Sequence, residues 1–219
     1  MKTVSIAFML LLLACTPIVF GAPTFYTDAT AFDTATTILI TEDFETVVPK
    51  DTPLSFFSSQ GITYTGLAGT KDGKPYPNVF VASAGYTNFG VTKTTSSVLT
   101  ANGDEDFTLT MELNFPATAV AFNTYLNTYT EQATIKVFGA GNVVLGTYNL
   151  THDAEVVGFF GVTSITPISV IQWTTQYGGV QNTGIDNVQV GYVVPAPGAL
   201  LLGAVGTGLV GYLRRRKAA

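Results

Sequence analysis

The sequence predicts an all-β chain, an antiparallel β-sandwich of jelly-roll-like type, and three observations carry that expectation. The segment Phe107-Thr-Leu-Thr-Met-Glu-Leu-Asn-Phe115 is apolar at every second position, the period of a strand with one dry and one wet face. About ten short apolar runs of strand length follow one another along the middle of the chain, divided by clusters of Gly, Pro, Asn and Asp. Almost nowhere does the apolar pattern recur at the spacing of a half-buried helix. A closed barrel satisfies the same pattern and stands as the alternative.

In chain order, Asp28 is placed to cap a short helix over about residues 29–34, the only helix expected in the folded part. Strands are expected at residues 37–41, 61–64, 78–82, 97–100 and 107–115. Val120, Phe122 and Thr124 continue the alternation after Pro116. Ile135 and Val137 lead into Gly139-Ala-Gly-Asn142, and residues 143–150 return as the second arm of a hairpin. Residues 156–160, 168–173 and 184–191 complete the set, while residues 67–77, with Asp72-Gly73 and two prolines, form a surface excursion.

The two ends do not belong to this domain. Residues 1–21 carry Lys2, an apolar run over 4–14, and small residues before Ala22, the features of a cleaved export signal. Leu12-Leu13-Ala14-Cys15 offers a rival processing route in which Cys15 is lipidated. Cys15 is the only cysteine, so the domain over residues 22–192 holds together without disulfides.

At the far end, residues 193–217 read as a separate membrane-directed tail. Residues 198–213 are uncharged and apolar and span about 24 Å as a single transmembrane helix, somewhat less than a hydrocarbon core of about 30 Å. Val193, Val194 and snorkelling basic side chains make up the difference. Arg214, Arg215, Arg216 and Lys217 set the orientation, with this cluster in the cytoplasm and the domain outside.

Pro195-Ala196-Pro197, the short apolar span and the basic cluster together resemble the PEP-CTERM sorting signal. The resemblance implies recognition at the bacterial inner membrane by an exosortase-type protease, and delivery to the cell surface or extracellular matrix. Ala196 stands where that signal usually has glutamate, and the Pro-Ala-Pro form looks like a variant of it. Within the domain, Phe25 to Phe32, Glu42-Asp43-Phe44-Glu45, Phe159-Phe-Gly-Val162 and Gly184-Ile-Asp-Asn-Val188 are similar to the exported β-sandwich domains joined to such tails. Those domains resemble, in outline, jelly-roll carbohydrate-binding modules.

That outline implies a first and a last strand lying side by side, with a structural calcium between them. Glu42 or Asp43 with Asp186 would supply its oxygens. Solvated edge charges that discourage aggregation are the other reading of these residues. Asn102-Gly-Asp-Glu-Asp106 is read as a turn, and Trp173, Tyr86, Tyr125, Tyr129 and Tyr177 are the aromatic candidates for a sugar platform.

Charge excludes one class of function. All 15 acidic residues lie between Asp28 and Asp186, against five lysines, and every arginine is in the tail. Such a domain cannot neutralise nucleic-acid phosphates. His152 is the only histidine, no domain cysteine exists, and no nucleophile motif is present, so zinc and enzymatic catalysis are not expected. The expectation is a non-catalytic exported surface or matrix protein. The alternatives are a carbohydrate-binding module of the envelope, contacting extracellular polysaccharide, and a hydrolase dependent on His152 or on Glu42 and Asp186.

Overall fold

In the computed structural model, which describes residues 21–67, 70–71, 74–75, 78–85, 94–101, 107–126, 132–153, 156–175 and 183–194, the alternating pattern becomes antiparallel strand throughout. β1 (Thr24–Tyr26) leads to the helix α1 (Ala29–Ala35) and β2 (Thr36–Glu42). Short strands follow: β3 (Pro53–Leu54), β4 (Phe57–Ser59), β5 (Ile62–Leu67), β6 (Thr70–Lys71), β7 (Lys74–Pro75), β8 (Val79–Ala82) and β9 (Val98–Ala101). The second half holds β10 (Phe107–Tyr125), β11 (Gln132–Phe138), β12 (Val144–Thr151), β13 (Gly158–Thr175) and β14 (Gly184–Val193).

Asp28 caps α1 as expected, its Oδ1 accepting from the Ala31 amide at 2.8 Å. The β11–β12 hairpin also forms where expected. Its turn places Gly141 at φ 69°, in the left-handed region that glycine adopts without a steric cost.

The alternation on both sides of Pro116 belongs to one strand of 19 residues, β10. One expectation is corrected: the strands foreseen at 156–160 and 168–173 are likewise one strand of 18 residues, β13, running through Pro167. Both prolines sit where the β10–β13 register slips, between the Glu112–Val170 and Ala119–Thr163 pairs. The ladder asks for no regular donor there, so the missing N–H costs nothing.

That slip organises the whole sheet. Before it, Leu109 and Met111 of β10 oppose Trp173 and Ile171 of β13, and β5 and β11 flank the pair. Beyond it, Val120 and Phe122 oppose Val162 and Phe160, and β14 and β1 flank the pair. Rings from the two halves meet: Phe122 lies 5.8 Å from Trp173, and Tyr148 of β12 lies 5.7 Å from Phe160 and 5.2 Å from Phe25 of β1. The sheet therefore folds over on itself at the register slip, and its two halves face one another as an antiparallel β-sandwich around one core.

β2 closes the second half against β14, pairing from Thr36–Val193 to Glu42–Val188. Gly191 permits the closest approach there, because a Cβ would meet the Thr37 carbonyl oxygen and the Ile38 Cα. Among the described residues no helix is long and apolar enough to cross a membrane. The signal segment over 1–20 and the span over 198–213 lie outside the described residues.

Replacement of Gly191 by Ala has nowhere to place its methyl except into the backbone of β2. Gly191→Ala should lower unfolding free energy by about 1–3 kcal/mol, the usual cost of overpacking, read as a lower urea midpoint at unchanged slope.

Candidate functional site

Chemistry-bearing side chains gather where β2 ends beside β14. β14 reaches this edge with an irregularity: Ala121 pairs with Gln189 but Asn123 pairs with Asp186, so β14 carries an extra residue. Asn187 occupies that bulge at φ 50°, a left-handed conformation that Asn tolerates better than most residues. The bulge brings Asp186 wholly into the interior. Its Oδ1 accepts from the Asn187 amide at 2.6 Å, and its Oδ2 accepts from the Asn187 side chain and the Ser96 hydroxyl.

Burial pushes the Asp186 carboxyl up to about 6. The donors from Ser96 and Asn187 oppose that shift, and the like charges of Glu45 and Asp43 add to it. On the β2 side, buried Glu42 accepts from the Phe44 amide at 2.9 Å, and Asp43 accepts from the Glu45 amide at 3.0 Å. The ring of Tyr64 sits near Glu42; burial, then the Glu42 charge, raises its phenol well above the ordinary value.

Glu45 belongs to the same edge through a second set of partners. Its carboxylate accepts from the Ser97 amide at 2.7 Å, the Ser97 hydroxyl at 2.9 Å and Lys50 Nζ at 3.1 Å. These donors, led by the Ser97 amide, hold it below the usual carboxylate range. Lys50 Nζ also reaches Ser97 Oγ at 2.6 Å. Lys50 Nζ is engaged by the Glu45 carboxylate at 3.1 Å, so its contact with Ser97 is part of an ion-pair network and not a free base beside a nucleophile. Ser97 is fully buried as well.

His152 is committed elsewhere. Its Nδ1 lies 2.8 Å from the Asp153 carbonyl, which can only accept, so Nδ1 carries the proton and, in the neutral ring, Nε2 accepts from the Thr124 hydroxyl at 2.8 Å. The ring lies so close over Gly158 that a Cβ there would strike it. It serves as a packed strut between β10 and the start of β13.

The expected pairing of the first long strand with the last one is present, and it brings Glu42, Asp43 and Asp186 to one edge. Among the described residues no group of three or more His, Cys, Asp or Glu side chains converges as a metal cage. Each carboxylate already accepts from local donors, so the present arrangement does not fit calcium without exchange of partners. Two platform candidates fall away: Trp173 and Tyr125 are core residues, 2% and 4% exposed. Tyr86, Tyr129, Tyr177 and the acidic run at 102–106 lie outside the described residues, as do Pro195, Ala196, Pro197 and Arg214 to Lys217.

Ser96, Ser97 and Lys50 were not foreseen at this edge. Lys50-Asp51 and Ser96-Ser97 lie far apart in sequence, and no periodic signal links a loop lysine to a serine pair.

No family model and no curated protein matches the chain. Among solved structures it is similar to a mutant of the carbohydrate-binding module CBM29-2 complexed with mannohexaose, at 12% identity, covering 72% of this chain and 94% of that chain, with a TM-score of 0.44. It is also similar to the K2 cleaved adhesin domain of Lys-gingipain, at 13% identity over 69% of this chain and 98% of that chain, with a TM-score of 0.45. TmCBM61 in complex with β-1,4-galactotriose matches at 16% identity over 51% of this chain and 80% of that chain, with a TM-score of 0.28. Each is a distant likeness in outline.

The raised carboxyl of Asp186 gives stability a signed pH dependence. Between the ordinary value near 4 and about 6, the folded state binds the proton that the unfolded chain has released, so stability falls as pH rises through that window. The loss is on the order of 2 kcal/mol by pH 7. Glu45, held low, acts with opposite sign below its ordinary value. Thermal melts from pH 4 to 7 should show Asp186→Asn gaining on the natural protein as pH rises; parallel curves would contradict the assignment.

Proposed function

We propose that the chain is an exported, non-catalytic β-sandwich delivered to the cell surface or extracellular matrix by its C-terminal tail. In this reading the tail anchors the domain in the bacterial inner membrane, and an exosortase-type protease processes it at Pro195-Ala196-Pro197. The observation that supports it is where the sandwich stops. β14 pairs with β2 up to Val193–Thr36, and the Val194 amide closes on the Ala35 carbonyl at 2.9 Å. Among the described residues the core cluster has its last member at Val190, and Tyr192 and Val194 are already exposed.

The disposition of polar groups supports the non-catalytic part. The only histidine is tied at both ring nitrogens, and the Ser97–Lys50 contact is neutralised by Glu45.

A second reading, a carbohydrate-binding module of the cell envelope, is favoured by the edge at Asp186. Ser96 and Asn187, which cover the buried Asp186, offer there a hydroxyl and an amide, groups that exchange hydrogen bonds with sugar hydroxyls. Structural calcium belongs with this reading. The mutual repulsion that Asp186 shares with Asp43 and Glu45 is what a divalent cation relieves, provided Asp186 gives up its Ser96 and Asn187 donors.

The mass of the mature C-terminus tests the main reading. The natural chain should lose the segment Arg214 to Ala219, and a Pro195→Ala, Pro197→Ala double variant should keep it; an intact end in the natural chain would remove the processing claim. Calorimetric titration with calcium should give heat and a higher melting temperature, both lost in Asp186→Asn. Absence of both removes the ion, and a glycan array without a signal removes the second reading.

A further inference from the structure

The end of the sandwich from which the tail departs is uncharged and carries exposed aliphatic side chains. Val193 donates to Thr118 Oγ1 at 2.9 Å, and Ala117, beside it, pairs with Ile168 of β13. Thr24, at the start of β1, pairs with Thr163, two residues before Ile165, and Gly139 of the β11–β12 turn lies against Leu145 and the Pro167 carbonyl. Ser169 Oγ ties the same turn down through the Phe138 carbonyl at 3.3 Å. Segments 22–24, 114–118, 139–145, 164–168 and 192–194 therefore meet at one end, and not one of them contains a charged residue.

Four aliphatic side chains project there without cover: Ile165 is 74% exposed, Val143 and Val144 are 54% exposed, and Val194 is 44% exposed. A folded domain that kept this end in water would gain from polar residues at such positions.

We propose that this end is a membrane-docking face, which rests on the lipid surface entered by the chain's own tail. The inference depends on the anchoring reading above and adds to it an orientation. Three residues separate Val194 from Gly198, where the apolar span begins, and the four steps between them, fully extended, reach about 14 Å. The uncharged end is thus the part of the domain held next to the headgroups.

Four aliphatic side chains bind lipid only weakly by themselves. A short tether converts their contact into an intramolecular one, so little intrinsic affinity is needed. Charge points the same way: Asp186, which feels the like charges of Asp43 and Glu45, lies seven residues up β14 from Val193, about 23 Å at strand rise, which keeps the acidic edge away from anionic headgroups. Asp28 and Glu112 are the acids nearest to these segments in sequence, and both are exposed to water.

The test uses the full chain in a Cys15→Ser background, reconstituted into vesicles of phosphatidylethanolamine and phosphatidylglycerol. Nitroxide labels are placed at Ile165→Cys, Val143→Cys and, as a control beside the acidic edge, Val48→Cys, a site 85% exposed. Flotation with the vesicles reports anchoring, and collision with oxygen against a water-soluble nickel complex reports depth. Docking predicts labels at 165 and 143 that are several-fold less accessible to nickel and more accessible to oxygen than the label at 48. Equal nickel access at all three sites in a chain that floats overturns docking and leaves the anchor standing. Failure to float overturns the anchor and docking with it. Labels at 165 and 143 shielded from both reagents, with dipolar broadening, would mean that a second copy covers the face and would overturn docking also.

Discussion

The fold depends on a single long antiparallel pair that belongs to both layers. β10 and β13 run together before and after the register slip, and each contributes core residues to both halves of the sandwich. Two layers joined by short loops could slide or separate. Two layers made from the same two strands cannot, because displacement of one half breaks ladder bonds in the other. Phe160 sits inside this fold-over with Phe25, Phe122 and Tyr148 around it at 5.1 to 6.0 Å. Tilted aromatic pairs of that kind add about 0.5–1.5 kcal/mol each beyond their burial. A domain without disulfides has to find its cohesion in such contacts.

The same architecture gives the molecule two unlike regions. Near the fold-over, prolines, glycines and aliphatic residues suffice, because the strands there only bend and exchange partners. Up the strands, where β2 ends and β14 bulges at Asn187, the chain has buried carboxylates to satisfy, and the donors come from the loop before β3 and the strand entry before β9. Glu45 with Lys50 and Ser97, and Asp186 with Ser96 and Asn187, are two adjacent solutions to one problem, the desolvation of negative charge. One carboxylate is held low by an amide and an ammonium. The other has only neutral donors and rises towards neutrality.

Much of the strand pattern was legible, because alternation reports directly which face of a half-buried strand meets the core. Leu109, Met111 and Leu113 are buried as that pattern requires. The segments 156–160 and 168–173 read as separate strands because the alternation lapses between them, and nothing local shows that the register slip against β10 carries one strand through both. Of the polar edge, the acids were visible and their pairing across β2 and β14 was expected from a resemblance, whereas Ser96, Ser97 and Lys50 were not visible at all. Of the aromatics, Trp173 is buried as the apolar run Val170-Ile-Gln-Trp173 suggests, whereas Tyr125, at the end of β10, packs with Phe80, Ala82 and Val98 of β8 and β9, neighbours that its local sequence does not reveal.

Native-state hydrogen exchange tests the dependence on β10 and β13 most directly, because it measures the opening free energy of each amide separately. The amides of Met111 and Ile171 in one half, and of Val120 and Val162 in the other, should share one value, equal to that of global unfolding. Two distinct values, one for each half, would mean that the layers open independently and would contradict the account.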